Sequence, residues 1–324
     1  MAGPMDNNEI KSFFHRNKNA QYRKCLWHTE HCDETPIRAH AVQNSRALDH
    51  IAEDGHVVMV GADIKNEGIQ LGFEKVGRNK ATTFTGLCSK HDKELFRPID
   101  LSLIDPSNPE HLFLIAYRAV LKEFHANLQG ASKVQEMFMK GVELGEFSRD
   151  GREMQIATEH FASAFQFYAQ VQVYHSIFTA QKWTALRHVT RAIKTSYPPL
   201  AATGVFLPIE AEATFDPDAP SFLVFNVFPQ EDELLLFFTW DTDNDSVMHA
   251  AIDPIVEAAG EHQLYLLSKF ILKYTETFVL RPSTYDSFTK EQVFAMQRYF
   301  AANACNHRNE WDDKQLFLFA RVPA

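Results

Sequence analysis

The chain has 324 residues, 45% hydrophobic and 23% charged, which excludes a wholly disordered protein. The net charge is −10, yet residues 1–100 hold 14 basic and 14 acidic side chains, so the acidic excess lies in the remainder. There is no run of about 18 uncharged apolar residues and no basic leader with an apolar core. We therefore expect no membrane association and a cytoplasmic location.

The length suits two or three domains, and the sequence pattern predicts three. Residues 1–105 form a Cys/His-rich module, residues 106–195 a long helical hairpin, and residues 196–324 a C-terminal domain of strands and helices. The predicted fold class is therefore α+β and multidomain, with an antiparallel sheet in the last region.

The first region holds three of the four cysteines and seven of the fifteen histidines. Two clusters stand out: residues 25–32, with Cys25, His28, His31 and Cys32, and residues 88–91, with Cys88 and His91. Zinc prefers four thiolate or imidazole ligands in a tetrahedron, often supplied as two close pairs. We predict a structural Zn²⁺ on Cys25, Cys32, Cys88 and His91, although His28 or His31 can replace Cys32. The other interpretation is a set of free cysteines and surface histidines.

A basic segment precedes the first cluster. Residues 11–24 hold five basic side chains and no acidic one. Lys18, Arg23 and Lys24 are therefore candidate contacts for the phosphates of DNA or RNA. The alternative is a solvated helix face.

The second region follows a Pro-containing linker and cap, Ile104-Asp-Pro-Ser-Asn-Pro-Glu110, and its apolar residues recur at spacings of three and four. This spacing indicates amphipathic helices up to about residue 195, with a break near Gly151. The apolar series begins with Leu112, Ile115 and Ala119 and ends with Trp183, Leu186 and Val189. Two helices of such length predict a hairpin that projects or pairs with a second copy, so we expect a homodimer through it.

The last region predicts strands and two helices. The strand-like runs are GVFLPIEAEATF, SFLVFNVF, ELLLFFTW and the closing LFLFARV, and the helices cover about 262–275 and 289–303, the second with a capping box at Thr289 and Gln292. Residues 229–232 predict a hairpin turn. The run from Asp241 through Asp243 and Asp245 to His249 and Asp253 allows a Ca²⁺ or Mg²⁺ site, but an acidic hairpin turn is the preferred interpretation.

The order Cys…Cys…AHxxQ…LCxxHD resembles the zinc-bearing HNH, or ββα-metal, nuclease module over about residues 20–100. The resemblance implies that the zinc-stapled module is ββα-like. It also implies that His40 is the general base and that Asp92 is a ligand for a catalytic Mg²⁺ or Mn²⁺, with His56 as a further candidate. The chain departs from the family at Ala39 and Thr83, where a metal-ligating residue and an asparagine are usual.

The sequence is also similar to a set of uncharacterised bacterial proteins that share a series of short motifs. In this chain they are Cys25/Cys32, AHAVQ at 39–43, GHV at 55–57, LCSKHD at 87–92 and LFRPID at 95–100. This similarity implies no activity.

Two functions remain in competition. The first is a metal-dependent HNH-like nuclease that hydrolyses DNA or RNA, in bacterial defence. The second takes Ala39 and Thr83 as signs of an inactive site and predicts a zinc-stapled interaction or regulatory protein with a protein partner, which the acidic remainder of the chain favours.

Overall fold

The computed structural model describes residues 22–27, 32–65, 68–195, 197–208, 222–304 and 308–319, and only the backbone at 44–45, 62–65 and 68–70. Lys18, His28 and His31, for which phosphate or metal contacts were predicted, lie outside the described residues.

A seven-stranded antiparallel sheet forms the centre of the protein, with strand order β3-β2-β9-β6-β7-β8-β5. A separate pair of two-residue strands, β1 and β4, is antiparallel as well. The strands are β1 (Ala39–His40), β2 (His56–Lys65), β3 (Gly68–Gly77), β4 (Thr83–Phe84), β5 (Leu186–Lys194), β6 (Leu200–Phe206), β7 (Leu223–Gln230), β8 (Glu233–Asp241) and β9 (Thr277–Leu280).

The central strands are apolar on both faces because helices cover both. Alternate side chains of a strand point to opposite faces. In β8, Leu235 and Phe237 pack into one core, whereas Leu236 and Phe238 pack into the other. The result is three layers, with the sheet in the middle.

Seven helices accompany these strands in the described part of the chain, besides several single helical turns. They are α1 (Ser89–Leu101), α2 (Pro109–Leu144), α3 (Arg152–Ala180), α4 (Asp245–Glu257), α5 (Gly260–Tyr274), α6 (Pro282–Asp286) and α7 (Lys290–Asn303). Helices α1, α2 and α3 contribute to the first core, and α4, α5 and α7 to the second.

The predicted long hairpin is formed by α2 and α3. The side chain of Asn108 caps α2 by accepting a hydrogen bond from the amide of Glu110. The helix ends at Gly145, whose φ of 77° is the left-handed conformation that favours glycine. Helix α3 begins directly after Gly151, as expected.

The hairpin was predicted to extend to about residue 195, but α3 ends at Ala180. The helical prediction for the residues after Ala180 was wrong. Residues 186–194 form strand β5, which pairs with β8 along its whole length. Leu186 and Val189 fit a helical spacing, but the backbone hydrogen bonds offered by the open edge of β8 determine the outcome.

The last region contains the predicted β7–β8 turn and the predicted helices as α5 and α7. Thr289 and Gln292 make the reciprocal hydrogen bonds of a capping box. The predicted closing strand was wrong. Leu316–Phe319 is buried but does not join the sheet, and the amide of Leu318 donates to Ser268 Oγ of α5 at 3.0 Å.

The acidic run at 241–253 was predicted as a hairpin turn, but it forms a 3₁₀ turn at Thr242–Asn244 and the start of α4. Asp245 accepts hydrogen bonds from Arg187 and Trp240, and His249 contacts Asp253 within one helix. Within the described residues, the side chains of this run do not form a group of three or more converging metal ligands.

The sheet draws its strands from all three predicted regions. The β2–β3 hairpin lies between β1 and β4 in the chain and pairs with β9, and β5 pairs with β8. The long spacer between His40 and Cys88 is therefore occupied by a hairpin that belongs to the large sheet. Among the helices of the described segments, none is long and apolar enough to cross a membrane.

Candidate metal centre

Four side chains from two distant segments converge beside the N-terminus of α1. The potential ligand atoms of Cys25, Cys32, Cys88 and His91 all lie within 4.8 Å of one another. Sγ of Cys25 and Sγ of Cys88 are each 3.4 Å from Nδ1 of His91, and Sγ of Cys32 is 3.8 Å from Sγ of Cys88. Ligands of a tetrahedral zinc ion lie about 3.5–3.8 Å apart, given Zn–S of about 2.3 Å and Zn–N of about 2.0 Å. The cluster could therefore hold a metal ion such as zinc.

Backbone hydrogen bonds align the two segments that carry these side chains. The amide of Leu26 donates to the carbonyl of Gly86, and the amide of Ile37 donates to that of Leu87, each at 2.8 Å. The amide of Cys88 donates to Sγ of Cys25 at 3.4 Å. The backbone on either side of Cys25 and Cys32 is thus held against residues 86–88, which lead into α1.

The thiols of Cys25 and Cys88 differ in acidity. Burial raises the pKa of Cys25 to about 11. Burial also acts to raise the pKa of Cys88, but hydrogen bonds from backbone N–H groups at the start of α1 and from the neighbouring thiols lower it overall. Cys88 is the cap residue of α1, where a thiolate is favoured by the exposed amides. Cys88 therefore ionises more readily than Cys25.

His40 lies on β1, opposite Thr83 on β4. Its Nδ1 donates a hydrogen bond of 2.9 Å to the carbonyl oxygen of Ala81, so the neutral ring carries its lone pair on Nε2. Burial lowers the pKa of His40, and the charges of Arg118 and Arg78 lower it further against the effect of that hydrogen bond. The ring is consequently neutral at neutral pH.

Asp92 follows His91 on α1 and is half-buried. Burial raises the pKa of its carboxyl group, although the positive charge of Arg118 acts in the opposite direction. In the part of the chain that the structure describes, the thiol–imidazole cluster is the one group of three or more potential metal ligands. His40 and Asp92 are not in such a group, and His56 is exposed, with its Nδ1 hydrogen-bonded to the Asp54 carbonyl at 2.8 Å.

Arg118 is a residue that the sequence analysis missed. Its guanidinium is almost fully buried, donates to both carboxylate oxygens of Asp100 at 2.8 Å and lies 4.1 Å from the ring centre of Phe96. It influences the pKa of both His40 and Asp92. The sequence signal was a single arginine inside an apolar helical run. A buried charge needs a partner, so such an arginine indicates a buried ion pair.

The predicted nucleic-acid contacts Arg23 and Lys24 are exposed. Together with Lys133 of α2 they line a surface groove of about 360 Å³, and Glu136 is its acidic member. Two chain segments thus contribute three basic side chains to one groove.

Comparisons with protein-family models, with curated proteins and with solved structures found no match to this chain.

Proposed function

We propose that this protein is a metal-dependent nuclease of the HNH-like class, with Zn²⁺ as its structural metal and His40 as its general base. The observation that carries the proposal is the short antiparallel pair of His40 with Thr83, followed directly by α1 with its cluster of Cys88 and His91. This order of strand, strand and helix around a zinc-like cluster supports a ββα-metal module.

The chemistry assigned to His40 follows from its hydrogen bond. Since Nδ1 donates to the Ala81 carbonyl, Nε2 is free to accept a proton from the attacking water. Its lowered pKa keeps the ring neutral and able to act as a base at neutral pH. Arg118 supports this role by disfavouring the charged imidazolium.

The second cation, Mg²⁺ or Mn²⁺, would neutralise charge on the leaving oxygen. Asp92 is the residue we assign to it, and the described residues offer no complete set of protein ligands there. Mg²⁺ in phosphoryl-transfer sites commonly takes one or two carboxylates and completes its shell with water and substrate phosphate. Arg23 and Lys24 would contact phosphates of the substrate from the groove that they line.

The second candidate is a zinc-stapled interaction protein without catalysis. Ala39 is buried and offers no ligand beside His40. The hydroxyl of Thr83 donates to the carbonyl of Lys80 at 3.0 Å and is engaged in its own turn. Both departures from the HNH pattern favour this candidate.

The deciding experiment is cleavage of plasmid DNA and structured RNA by the purified full chain with Mg²⁺ or Mn²⁺. His40→Ala is compared with wild type and with His160→Ala, an exposed histidine of α3. We expect His40→Ala to be about 10²–10⁴-fold slower at unchanged zinc content. Equal cleavage by all three would contradict the role of His40. No cleavage by any of them, with one zinc per chain, would favour the interaction protein.

We also propose that two copies pair through α3. Four large side chains of this helix are exposed along one stripe, at positions 154, 161, 165 and 168, and Phe161 and Phe165 are 58% and 59% exposed. These spacings of seven, four and three residues are those of a coiled-coil seam. A protein partner and a role in bacterial defence stay predictions.

A further inference from the structure

An open cleft lies near the candidate metal centre, since its lining residue Trp27 stacks on His91. It has a volume of about 430 Å³ and is formed by the segment after Cys25, by α1, and by the ends of the α2–α3 hairpin. The aromatic and ionisable residues that line it are Trp27, Glu94, Glu110, His175, Phe178 and Trp183. Neither His40 nor any basic side chain of the proposed phosphate groove belongs to it.

The aromatic rings form walls at steep angles to one another. Trp27 and Phe178 are 5.9 Å apart between ring centres at an interplanar angle of 84°, and Trp27 and His175 are 5.1 Å apart at 82°. Phe178 and Trp183 are 5.9 Å apart at 53°. These rings come from separate segments, pack against one another and line the cleft together.

The ionisable side chains of the cleft give it a negative charge. Glu94 is exposed on α1 and Glu110 is half-buried at the start of α2, and no lysine or arginine is among the described residues that line the space. Both nitrogens of His175 have partners, since Nδ1 lies 3.4 Å from the hydroxyl of Tyr117 and Nε2 lies 3.0 Å from that of Thr179. The carboxylates therefore determine the sign of the ligand.

We infer that this cleft binds an organic cation of the quaternary-ammonium class. A methylated ammonium is weakly hydrated and is attracted to indole and phenyl faces, and nearby carboxylates add a favourable Coulomb interaction. A nucleotide also stacks on aromatic rings, but its phosphate would meet two carboxylates and no cation. A bare metal ion is disfavoured because, in the described residues, the cleft lacks a group of three converging ligands.

The shared chemistry of the ligand is a trimethylammonium group, which occurs both in small molecules such as choline and on trimethylated lysine in proteins. The inference goes beyond the proposed nuclease function and does not depend on it, because it uses neither His40 nor the groove at Arg23. If the cleft does not bind such a ligand, the proposed nuclease function is unaffected, and the reverse also holds.

The test is a titration of the full-length, zinc-loaded protein, followed by tryptophan fluorescence and by calorimetry. The probes are choline, a trimethyl-lysine peptide, the neutral isostere 3,3-dimethylbutanol and thymidine monophosphate. We expect the two cations to bind at least about tenfold more tightly than the neutral isostere. Tighter binding of the peptide than of choline identifies a protein ligand, and the reverse identifies a small molecule.

Variants separate the ring and charge contributions. The double change Glu94→Gln and Glu110→Gln should weaken choline binding several-fold, and Trp183→Ala should weaken it by about tenfold or more. Glu146→Gln, an exposed carboxylate beyond the end of α2, should have no effect. Equal binding of the cation and its isostere, no loss in the double variant, or preferred binding of the nucleotide would each overturn the inference.

Discussion

The indole ring of Trp27 stacks on the imidazole ring of His91, with ring centres 5.0 Å apart and planes 16° from parallel. The indole also makes edge-to-face contacts with His175 and Phe178 of α3. Trp27 therefore connects a candidate metal ligand with the helical hairpin.

Removing one thiol of the cluster should remove the metal. We expect wild type to carry one zinc per chain and Cys88→Ser to carry none, because a tetrahedral site that loses one of its four ligands is incomplete. Zinc binding is worth about 10–16 kcal/mol in small domains, so the thermal unfolding midpoint should fall as well. Elemental analysis and calorimetry measure both quantities. Cys305→Ser is the matched control, and retention of zinc by Cys88→Ser would refute the site.

The acid limb of nuclease activity should follow the protonation of His40. Because burial and two arginines lower its pKa, the rate should fall only below the usual titration range of histidine. Arg78→Gln removes one of these positive charges, which favours the imidazolium. The acid limb should therefore move to higher pH. The measurement is the cleavage rate against pH, with the exposed Arg191→Gln as control, and an unmoved limb would argue against His40 as the base.

The stability of the contact between the first and last regions of the chain should depend on Glu53. Its carboxylate accepts hydrogen bonds from the amide and hydroxyl of Ser283, at 2.8 and 2.5 Å, and from the hydroxyl of Tyr197 at 2.8 Å. Glu53→Gln should lower the free energy of unfolding at pH 7 by about 1 kcal/mol, since the group is near the surface. Urea denaturation measures this, and Glu146→Gln should leave stability unchanged.

The same contact should be sensitive to acid. Slight burial acts to raise the pKa of Glu53, but the bonds from Ser283 and Tyr197 and the charge of Arg281 lower it overall. A depressed pKa means that the charged form stabilises the fold at neutral pH and that this contribution is lost as pH falls through the folded-state value. The difference between wild type and Glu53→Gln should shrink below about pH 4.5, the ordinary pKa of a glutamate carboxyl group. A constant difference would contradict the assignment.

Charge placed on the exposed stripe of α3 should abolish pairing of two chains. We expect wild type to sediment as a dimer and Phe165→Glu as a monomer, since a carboxylate in an apolar seam is costly to bury. Phe294→Glu is the matched control, because Phe294 is a similarly exposed phenylalanine on α7. A monomeric wild type would refute the proposed seam.

How far the sequence predicts the structure depends on the range of the interactions. The capping box of Thr289 and Gln292 and the end of α2 at Gly145 depend on neighbours within four residues, so the helix ends in these places are predictable. Strand β5 and the tail at Leu316–Phe319 depend on partners elsewhere in the chain, and both predictions failed there. Local spacing carries no information about an open sheet edge.

The candidate site shows the same division. Cys88 and His91 are close in sequence, and their pairing with Cys25 was predicted from ligand chemistry alone. Arg118 and Trp27 were missed because their roles arise from packing against α1, which no sequence spacing records. The Ala81 carbonyl that orients His40 is likewise brought into place by a tertiary contact.

The insertion of the β2–β3 hairpin between the two halves of the cysteine cluster has a consequence for synthesis. All four cluster residues have been made once residue 91 is added, whereas β9, the partner of β2, lies at Thr277–Leu280. At about 5–20 residues per second, the ribosome needs about 10–40 seconds to cover that interval. The metal cluster can close early, and during this time the edge of β2 at Val58 and Met59, where β9 will pair, is open to pairing with another nascent chain.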